Sequence, residues 1–390
     1  MLWFAALGST IGTWMQKYAQ GLVVYDLTQS KFYLGMDDFL SQLPILLFML
    51  IGGVIADRHD RRRLLTGSQY VQAFAAFSMA FLYWQGHITV WHIFALSFIS
   101  GCGQAFGGPA YQAMIPSLVP KKDLTNAIAL NSSQFNLSRV LGPSAGAAVL
   151  ATIGAAGCFA LNGVSFFLVV VALASLHLPA HQPSTTRRPL GEELKGGLRY
   201  VRDNEVMFTL SWLITISTFL AMPMMTMLPA FSSEVLTGGG THETRLWLLM
   251  ASQGLGAILG ALIVGGATRH MGRLLLGVQI GLGVLIAAFA LSTSLPLSMV
   301  LVFAGGMFFM ALFSISFSLV QMTVPDTLRG RVVSIYMVLL RGGGPIGGLV
   351  TGALADRFSL PSVMAVNGLL LVAIAGSLFL FKRGSSLNSV

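Results

Sequence analysis

The sequence has few charged residues for its length. Asp, Glu, Lys and Arg make up 9% of the 390 residues, and hydrophobic residues make up 55%. An ordinary soluble domain carries about 25% charged residues. This shortage excludes a water-soluble domain, because there are too few polar groups to cover its surface, and it predicts a protein that lies in a lipid bilayer.

Residues that build metal and nucleotide sites are also scarce. The two cysteines, Cys102 and Cys158, lie in apolar segments without paired spacing, and the seven histidines are scattered. The sequence has no G-x-x-x-x-G-K loop, which excludes ATP as the direct energy source, and no H-E-x-x-H pattern. We therefore expect no catalytic residue, no metal and no cofactor.

Long apolar blocks dominate what is present. Each has about 20 residues or more, enough to cross the hydrocarbon core as a helix. Backbone groups in lipid must be hydrogen-bonded within the span, and the blocks are too long for barrel strands. The sequence predicts an all-α integral membrane protein with twelve transmembrane helices, near residues 2–27, 33–56, 65–85, 90–115, 124–153, 157–177, 206–231, 245–267, 274–293, 296–322, 331–354 and 360–381.

The twelve predicted helices fall into two halves. Residues 1–177 and 206–390 form two pseudo-symmetric six-helix bundles, and residues 178–205 form a linker with a short amphipathic helix from Leu190 to Val201. The segment from Arg139 to Gly146 aligns with the segment from Arg341 to Gly348. Repeated halves of this kind place a substrate site between them at mid-depth.

The placement of basic residues predicts the orientation. Most of the 23 Lys and Arg lie in the linker, near the termini or in the loops that follow even-numbered helices, which indicates a cytoplasmic location for these parts. We expect a multi-pass protein of the cell inner membrane with both termini cytoplasmic, and no nucleic-acid partner. The first predicted helix starts at Leu2 without a polar lead, which indicates a late start codon or a trimmed chain.

One motif lies between the second and third predicted helices. The segment Gly53-Val-Ile-Ala-Asp57-Arg58-His-Asp60-Arg61-Arg62-Arg63 resembles motif A of the major facilitator superfamily, G-x-x-x-D-R-x-G-R-R. It departs from that motif at Asp60, where the motif has Gly. A plain positively charged loop would explain the arginines but not Gly53 and Asp57 at this spacing. The resemblance implies a state-switching role for Gly53, Asp57, Arg58, Asp60, Arg61 and Arg62, with Asp123 as the candidate loop acid.

A second motif lies in the fifth predicted helix. Gly142-Pro143-Ser-Ala-Gly146 resembles the core of antiporter motif C, G-P-x-x-G-G, which marks exporters and bends a helix. The repeat copies it at Gly344, Pro345 and Gly348. Generic helix packing is the alternative, since glycine and proline are common in membrane helices. A partial copy of motif A, Gly352 to Arg357, is expected to be an outer helix end.

The resemblance extends over nearly the whole chain. The acid at Asp60 and the segment "QAFGGPAYQAMIPSLVP" are similar to the superfamily branch that contains enterobactin exporters and macrolide efflux pumps. This likeness implies a small-molecule substrate, protons as the coupling ion and the lipid bilayer as partners. The fourth predicted helix lacks the arginine of the R-x-x-Q-G motif that drug:proton antiporters carry, so proton coupling by that route is not expected.

Charged side chains inside the predicted helices are candidates for a cavity or for coupling. Ionisable residues at depth usually face a bundle interior or a wet cavity. The candidates are Arg139, Lys17 and Arg341, with Asn136 and Asn162 nearby. A structural arginine that is satisfied by carbonyls or by the two asparagines, and that holds helices together without touching substrate, is the alternative for Arg139. Asp37 and Asp38 are expected near the outer end of their helix, where a rim role is favoured over proton binding.

The sequence therefore favours secondary-active efflux of small amphipathic molecules, such as drugs, macrolides or siderophores, by alternating access driven by protons. Uptake of a small nutrient is the first alternative. A noncatalytic membrane receptor or a membrane enzyme is the second, and the internal repeat disfavours the receptor. No catalytic constellation supports an enzyme.

Overall fold

The computed structural model describes residues 1–176, 190–264, 271–325 and 328–380. These residues form α-helices with short connections, and within these ranges there is no β-strand. The helices are α1 (Leu2–Thr28), α2 (Lys31–Arg58), α3 (Arg61–Trp84), α4 (Val90–Leu118), α5 (Leu124–Ala174), α6 (Leu190–Asp203), α7 (Glu205–Ala221), α8 (Pro223–Thr226), α9 (Leu228–Glu234), α10 (His242–Val264), α11 (Met271–Ala290), α12 (Leu295–Thr323), α13 (Arg329–Arg357) and α14 (Leu360–Leu380).

Several of these helices have the length and composition of membrane spans. In the described part of the chain, seven helices are long and apolar enough to cross a bilayer. They include α5 and the helices from α10 to α14. The prediction of an all-helical protein of membrane type is confirmed.

The longest helix, α5, contains a break in its backbone. Gly154 has φ 76° and ψ −176°, which divides the 51 residues of α5 into two limbs. A positive φ is strained for residues with a Cβ, so glycine is the residue that suits this corner. The limbs, 124–153 and 155–174, correspond closely to the fifth and sixth predicted helices.

The single helix predicted over 206–231 is wrong in detail. The structure has three shorter helices there, α7, α8 and α9. Pro223 and Pro229 lie in the first turns of α8 and α9. Proline has no N–H to donate to the preceding turn and is favoured in the first turn of a helix, so Pro223 and Pro229 suit the starts of α8 and α9.

The chain divides into two compact units. The first unit consists of Met1–Gln29 and Met36–Thr186. In it α1 packs along α5, and α3 packs against both α4 and α5. A buried cluster of apolar side chains that includes Leu65, Met114 and Leu173 joins α3, α4 and α5.

The second unit consists of Ser30–Gly35 and Arg187–Val390. In it α10 packs against α12, α11 against α14, and α7 against α13. Helix α6 lies against α13, where Gly197 faces Ile335, and Tyr200 Oη donates to the carbonyl of Thr323 at 3.3 Å. The opposite face of α6 carries exposed charged residues such as Arg199.

Candidate functional site

Partly buried polar side chains meet inside the first unit, around Asp37 of α2. Its Oδ2 accepts a hydrogen bond from Gln20 Nε2 of α1 at 2.7 Å. Its Oδ1 accepts one from Ser97 Oγ of α4 at 2.7 Å. Gln20 Nε2 and Ser97 Oγ are also 2.9 Å apart. Both oxygens of this carboxyl group are therefore held by neutral donors from two other helices.

The hydrogen bonds continue from Gln20 to the second limb of α5. Gln16 Nε2 donates to Gln20 Oε1 at 3.3 Å, and Asn162 Nδ2 donates to Gln16 Oε1 at 2.7 Å. Ser165 Oγ donates to Asn162 Oδ1 at 3.1 Å. We call Gln16, Gln20, Asp37, Ser97 and Asn162 the polar network. It connects α1, α2, α4 and α5.

An ion pair lies beside the polar network. Lys17 Nζ is 3.0 Å from Asp38 Oδ1, and the Lys17 side chain is 56% exposed while that of Asp38 is 13% exposed. Lys17 also lies 5.9 Å from the centroid of the Trp14 ring. Arg139 of α5 lies 5.6 Å from the same ring. The predicted candidates Lys17 and Arg139 therefore both lie near the ring of Trp14, which was not a predicted candidate.

The hydrogen bonding of Arg139 is incomplete. Its Nε is buried without a hydrogen-bond partner in the described part of the protein, and so is Asn136 Oδ1. Asn136 Nδ2 donates to the carbonyl of Ser132 at 2.9 Å, and Asn162 bonds within the polar network. Neither asparagine therefore bonds Arg139 among the described residues, and its observed contact is Trp14. A structural role for Arg139 stays a prediction.

Arg341 is placed differently from its repeat partner. It belongs to the second unit, on α13, and is exposed. No ion pair joins it to another residue that the structure describes.

The motif between α2 and α3 is only partly described. Gly53 and the side chains of Asp57 and Arg58 are not among the described positions. Asp60 is the N-cap of α3, where its side chain accepts from the backbone N–H groups of Arg62 at 2.9 Å and Arg63 at 3.4 Å. Aspartate is among the preferred N-cap residues, which explains the departure from glycine at this position.

The arginines of this motif bind helix ends in the first unit. Arg61 Nη1 donates to the carbonyl of Ala113 near the end of α4 at 2.7 Å. Arg62 Nη2 donates to the carbonyl of Ala174 at the end of α5 at 2.9 Å, and its Nη1 donates to Leu176 at 3.3 Å. A cation at a helix C-terminus satisfies orphan carbonyls and complements the helix dipole.

The candidate loop acid lies immediately before α5. Asp123 ends a 3-10 turn, and its N–H donates to the carbonyl of Pro120 at 2.9 Å. Its side chain makes no cap hydrogen bond. The hydrogen bonds described for the side chains of Arg61 and Arg62 lead to main-chain carbonyls of α4 and α5, so a role for Asp123 in the switch stays a prediction.

The glycine and proline motif lies at a close helix contact in each unit. A Cβ at Gly142 would overlap Trp14 and at Gly146 would overlap Tyr18, both on α1. On α13, a Cβ at Gly344 would overlap Met222. Pro143, Pro345 and Gly348 are buried at these contacts. The packing alternative for this motif is therefore supported, since small residues let helices approach closely in membrane proteins.

The partial motif copy at the end of α13 has a capping role that the sequence did not reveal. Asp356 Oδ1 accepts from the N–H of Lys31 at 2.9 Å, and its Oδ2 accepts from the N–H of Phe32 at 3.1 Å and from Ser30 Oγ at 2.5 Å. All four residues belong to the second unit. The first turn of α2 is thus capped by an acid far away in sequence. The sequence feature that could have indicated this role is the G-x-x-x-D spacing of Gly352 and Asp356, which repeats that of motif A.

Metal chemistry finds no support at these positions. Within the described ranges there is no group of three or more His, Cys, Asp or Glu side chains that could hold an ion. Cys102 and Cys158 are free cysteines. The residues brought together are hydrogen-bonding and charged groups, which bind and orient molecules.

Seven described helices of membrane-spanning length, together with charged and hydrogen-bonded side chains between helices of the first unit, are typical of a polytopic membrane transporter. The chain belongs to the major facilitator family described as transmembrane secretion effector, which matches residues 1–389. It is a multi-pass membrane transporter, not an enzyme. The predicted resemblance to the major facilitator superfamily is confirmed.

Two bacterial efflux proteins are similar over most of the chain. Macrolide efflux protein A of Streptococcus pyogenes is 25% identical over 367 residues, covering 91% of this chain and 89% of the relative. Multidrug efflux pump Tap of Mycolicibacterium fortuitum is 28% identical over 372 residues, covering 92% and 90%.

Solved transporters share the fold. The nucleoside transporter NupG aligns with a TM-score of 0.76 at 13% identity, covering 98% of this chain and 98% of that chain. A bacterial homolog of the human lysosomal transporter Spinster, in an inward-facing and unoccupied conformation, aligns with a TM-score of 0.73 at 15% identity, covering 100% and 97%.

Proposed function

We propose that this transporter exports small amphipathic molecules, such as macrolides, other drugs or siderophores, by alternating access driven by protons. The observation that carries the proposal is the group of charged and hydrogen-bonded side chains within the apolar first unit. Ionisable groups in membrane helices mark substrate or ion pathways. Two relatives named for macrolide and multidrug efflux support export as the direction.

The proposed architecture is twelve transmembrane helices in two pseudo-symmetric six-helix bundles, 1–177 and 206–390, joined by a cytoplasmic linker at 178–205. The matching glycine contacts of α5 on α1 and of α13 on α7 favour it. The basic residues of the loops favour an inner-membrane location with both termini cytoplasmic. Alternating access then occurs by movement of one half against the other, around a site near mid-depth.

In this proposal Trp14, Lys17 and Arg139 form a wall of the substrate site in the first half. An aromatic ring with two cations near it offers apolar area together with charge, which suits an amphipathic substrate. Asn136 has a buried carbonyl oxygen available for a substrate donor. Asn162 positions the polar network, and Arg341 is the candidate from the second half.

State switching is assigned to the loop between α2 and α3. Arg61 and Arg62 fix this loop to the ends of α4 and α5, so that it moves together with the first unit. Gly53, Asp57, Arg58 and Asp123 complete the proposed switch, as the resemblance to motif A implies. Asp60 maintains the start of α3. The glycine and proline motifs supply close packing during the movement.

Drug accumulation in cells tests the direction of transport. A drug-sensitive bacterial host that expresses the chain should accumulate less ethidium and less radiolabelled erythromycin than the host alone. An uncoupler should raise accumulation to the level of the control. Higher accumulation in the expressing cells would favour the uptake alternative, and unchanged accumulation of a broad panel would remove the drug-export proposal.

A further inference from the structure

The two adjacent acids of α2 have different partners. Asp38 pairs with the cation Lys17, whereas Asp37 is held by the neutral groups of Gln20 and Ser97. We propose that Asp37 is the carboxyl group that binds and releases the transported proton. This inference rests on proton-driven export as proposed above and names the residue that couples it.

The partners of Asp37 can adjust to a proton. A serine hydroxyl donates to a carboxylate and can turn to accept from a carboxylic acid, and an amide offers both donors and an acceptor. Protonation of Asp37 therefore exchanges one set of hydrogen bonds for another. Protonation of Asp38 would instead remove the counter-ion of Lys17, which is unfavourable for a partly buried pair.

The net charge of the groups around Asp37 depends on whether Asp37 is protonated. The charged groups near it are Lys17 from α1, Asp38 from α2 and, beyond Trp14, Arg139 from α5. Helix α4 contributes Ser97, and its titratable His92 is bonded to Thr89 in the first turn. With Asp37 ionised the two cations and two acids balance. A proton on Asp37 adds one positive charge, which a bound substrate would sense.

The hydrogen bonds also provide a mechanical connection. When Asp37 is ionised it fixes the amide of Gln20, which orients Gln16 and then Asn162. A proton on Oδ2 of Asp37 turns this acceptor into a donor, so that Gln20 changes partner. The change is transmitted to the second limb of α5. Proton binding on α2 is thus connected to the position of another helix without passing through the Lys17 ion pair.

Two transport modes separate coupling from binding. Purified protein in liposomes is tested for erythromycin accumulation driven by an imposed pH gradient, and for exchange of labelled against unlabelled erythromycin without a gradient. Asp37→Asn should lose gradient-driven accumulation at least about tenfold and keep exchange within about threefold of wild type, because the amide keeps the hydrogen-bond geometry but cannot titrate. Asp37→Glu should restore part of the driven accumulation.

The neighbouring acid supplies the matched control. Asp38→Asn should reduce both modes together, because it disturbs Lys17 and not a titration. Gradient-driven accumulation by Asp37→Asn at the wild-type level would overturn the inference while leaving proton-driven export intact. A wild-type protein that exchanges erythromycin but ignores the gradient would overturn both. Loss of both modes in Asp37→Asn and Asp37→Glu, with folded protein confirmed by size-exclusion chromatography, would assign Asp37 to substrate binding and refute a coupling role.

Discussion

Lys17 Nζ of α1 lies 3.0 Å from Asp38 Oδ1 of α2. The residue next to Asp38 on α2, Asp37, instead accepts hydrogen bonds from neutral donors. Successive residues of a helix point about 100° apart, because one turn takes 3.6 residues. The two acids therefore reach different neighbours, and one turn of α2 serves both an ion pair and a hydrogen-bonded network.

The ion pair predicts unequal effects of single and double substitutions. Asp38→Asn alone leaves Lys17 without its counter-ion, and Lys17→Gln alone removes the cation beside Asp38, whose side chain is only 13% exposed. The double substitution should be less destabilising than the sum of the singles, with a coupling free energy of only about 1 kcal/mol because the Lys17 side chain is more than half exposed to screening. Thermal unfolding of the four purified proteins in detergent measures it. Strict additivity would show that the pair does not contribute.

Close packing of α5 on α1 predicts that Gly142 cannot be enlarged. Gly142→Ala places a Cβ against Trp14 and should destabilise the protein by about 1–3 kcal/mol, as overpacking does. Gly8→Ala is the matched control, because a Cβ there meets no atom within 4 Å and alanine is the better helix former. Melting temperatures of both variants decide the outcome, and a Gly142→Ala protein as stable as Gly8→Ala would contradict the packing described.

The arginine contacts at the helix ends predict a defect in turnover. Arg62→Ala removes the donors to the carbonyls of Ala174 and Leu176 and should reduce the maximal transport rate about tenfold while the apparent KM changes less than about threefold, since it lies away from the substrate wall. Arg63→Ala serves as the control, because the Arg63 side chain is 90% exposed. Initial transport rates over a range of substrate concentrations provide the comparison. A raised KM at normal maximal rate would place Arg62 in substrate binding instead.

The contact between Arg139 and Trp14 predicts a functional defect in Arg139→Lys. Lysine keeps the charge but loses the planar guanidinium that stacks on the ring. Transport per folded molecule should fall, while Arg199→Lys, which alters an arginine of α6 whose side chain is 80% exposed, should leave it within about twofold of wild type by the same reasoning. If Arg139→Lys lowers the melting temperature and transport per folded molecule persists, the role of Arg139 is structural.

Helix positions were largely predictable because a membrane-spanning helix needs an uninterrupted block of about 20 apolar residues, which is visible in the sequence. The predicted interval between the fifth and sixth helices contains Gly154, where α5 is broken, and the predicted amphipathic helix from Leu190 to Val201 lies within α6. It failed at 206–231, where apolar composition continues across Pro223 and Pro229 although the helix does not. Apolar composition indicates that a segment lies in lipid, whereas proline limits where a helix can continue. At 206–231 the two signals give different helix boundaries.

The candidate site was less predictable because its contacts join distant segments. Lys17 and Arg139 were noticeable as charges in apolar helices. Trp14, whose ring lies near both, is an apolar aromatic residue that the sequence pattern does not single out. Distance along α2 suggested a rim position for Asp37 and Asp38. That estimate follows the helix axis alone, whereas Lys17 and Gln20 reach these acids from a neighbouring helix. The cap that Asp356 provides for α2 was hidden for the same reason.

Transport by inside-out membrane vesicles tests the central proposal most directly. Vesicles that contain the protein should accumulate erythromycin when respiration or ATP hydrolysis by the host enzymes establishes an inward-acid pH gradient, and vesicles without it should not. Nigericin, which dissipates the pH gradient, should abolish the difference. Accumulation that persists after the gradient is dissipated, or no accumulation of any drug of the panel while the folded protein is present, would contradict proton-driven export.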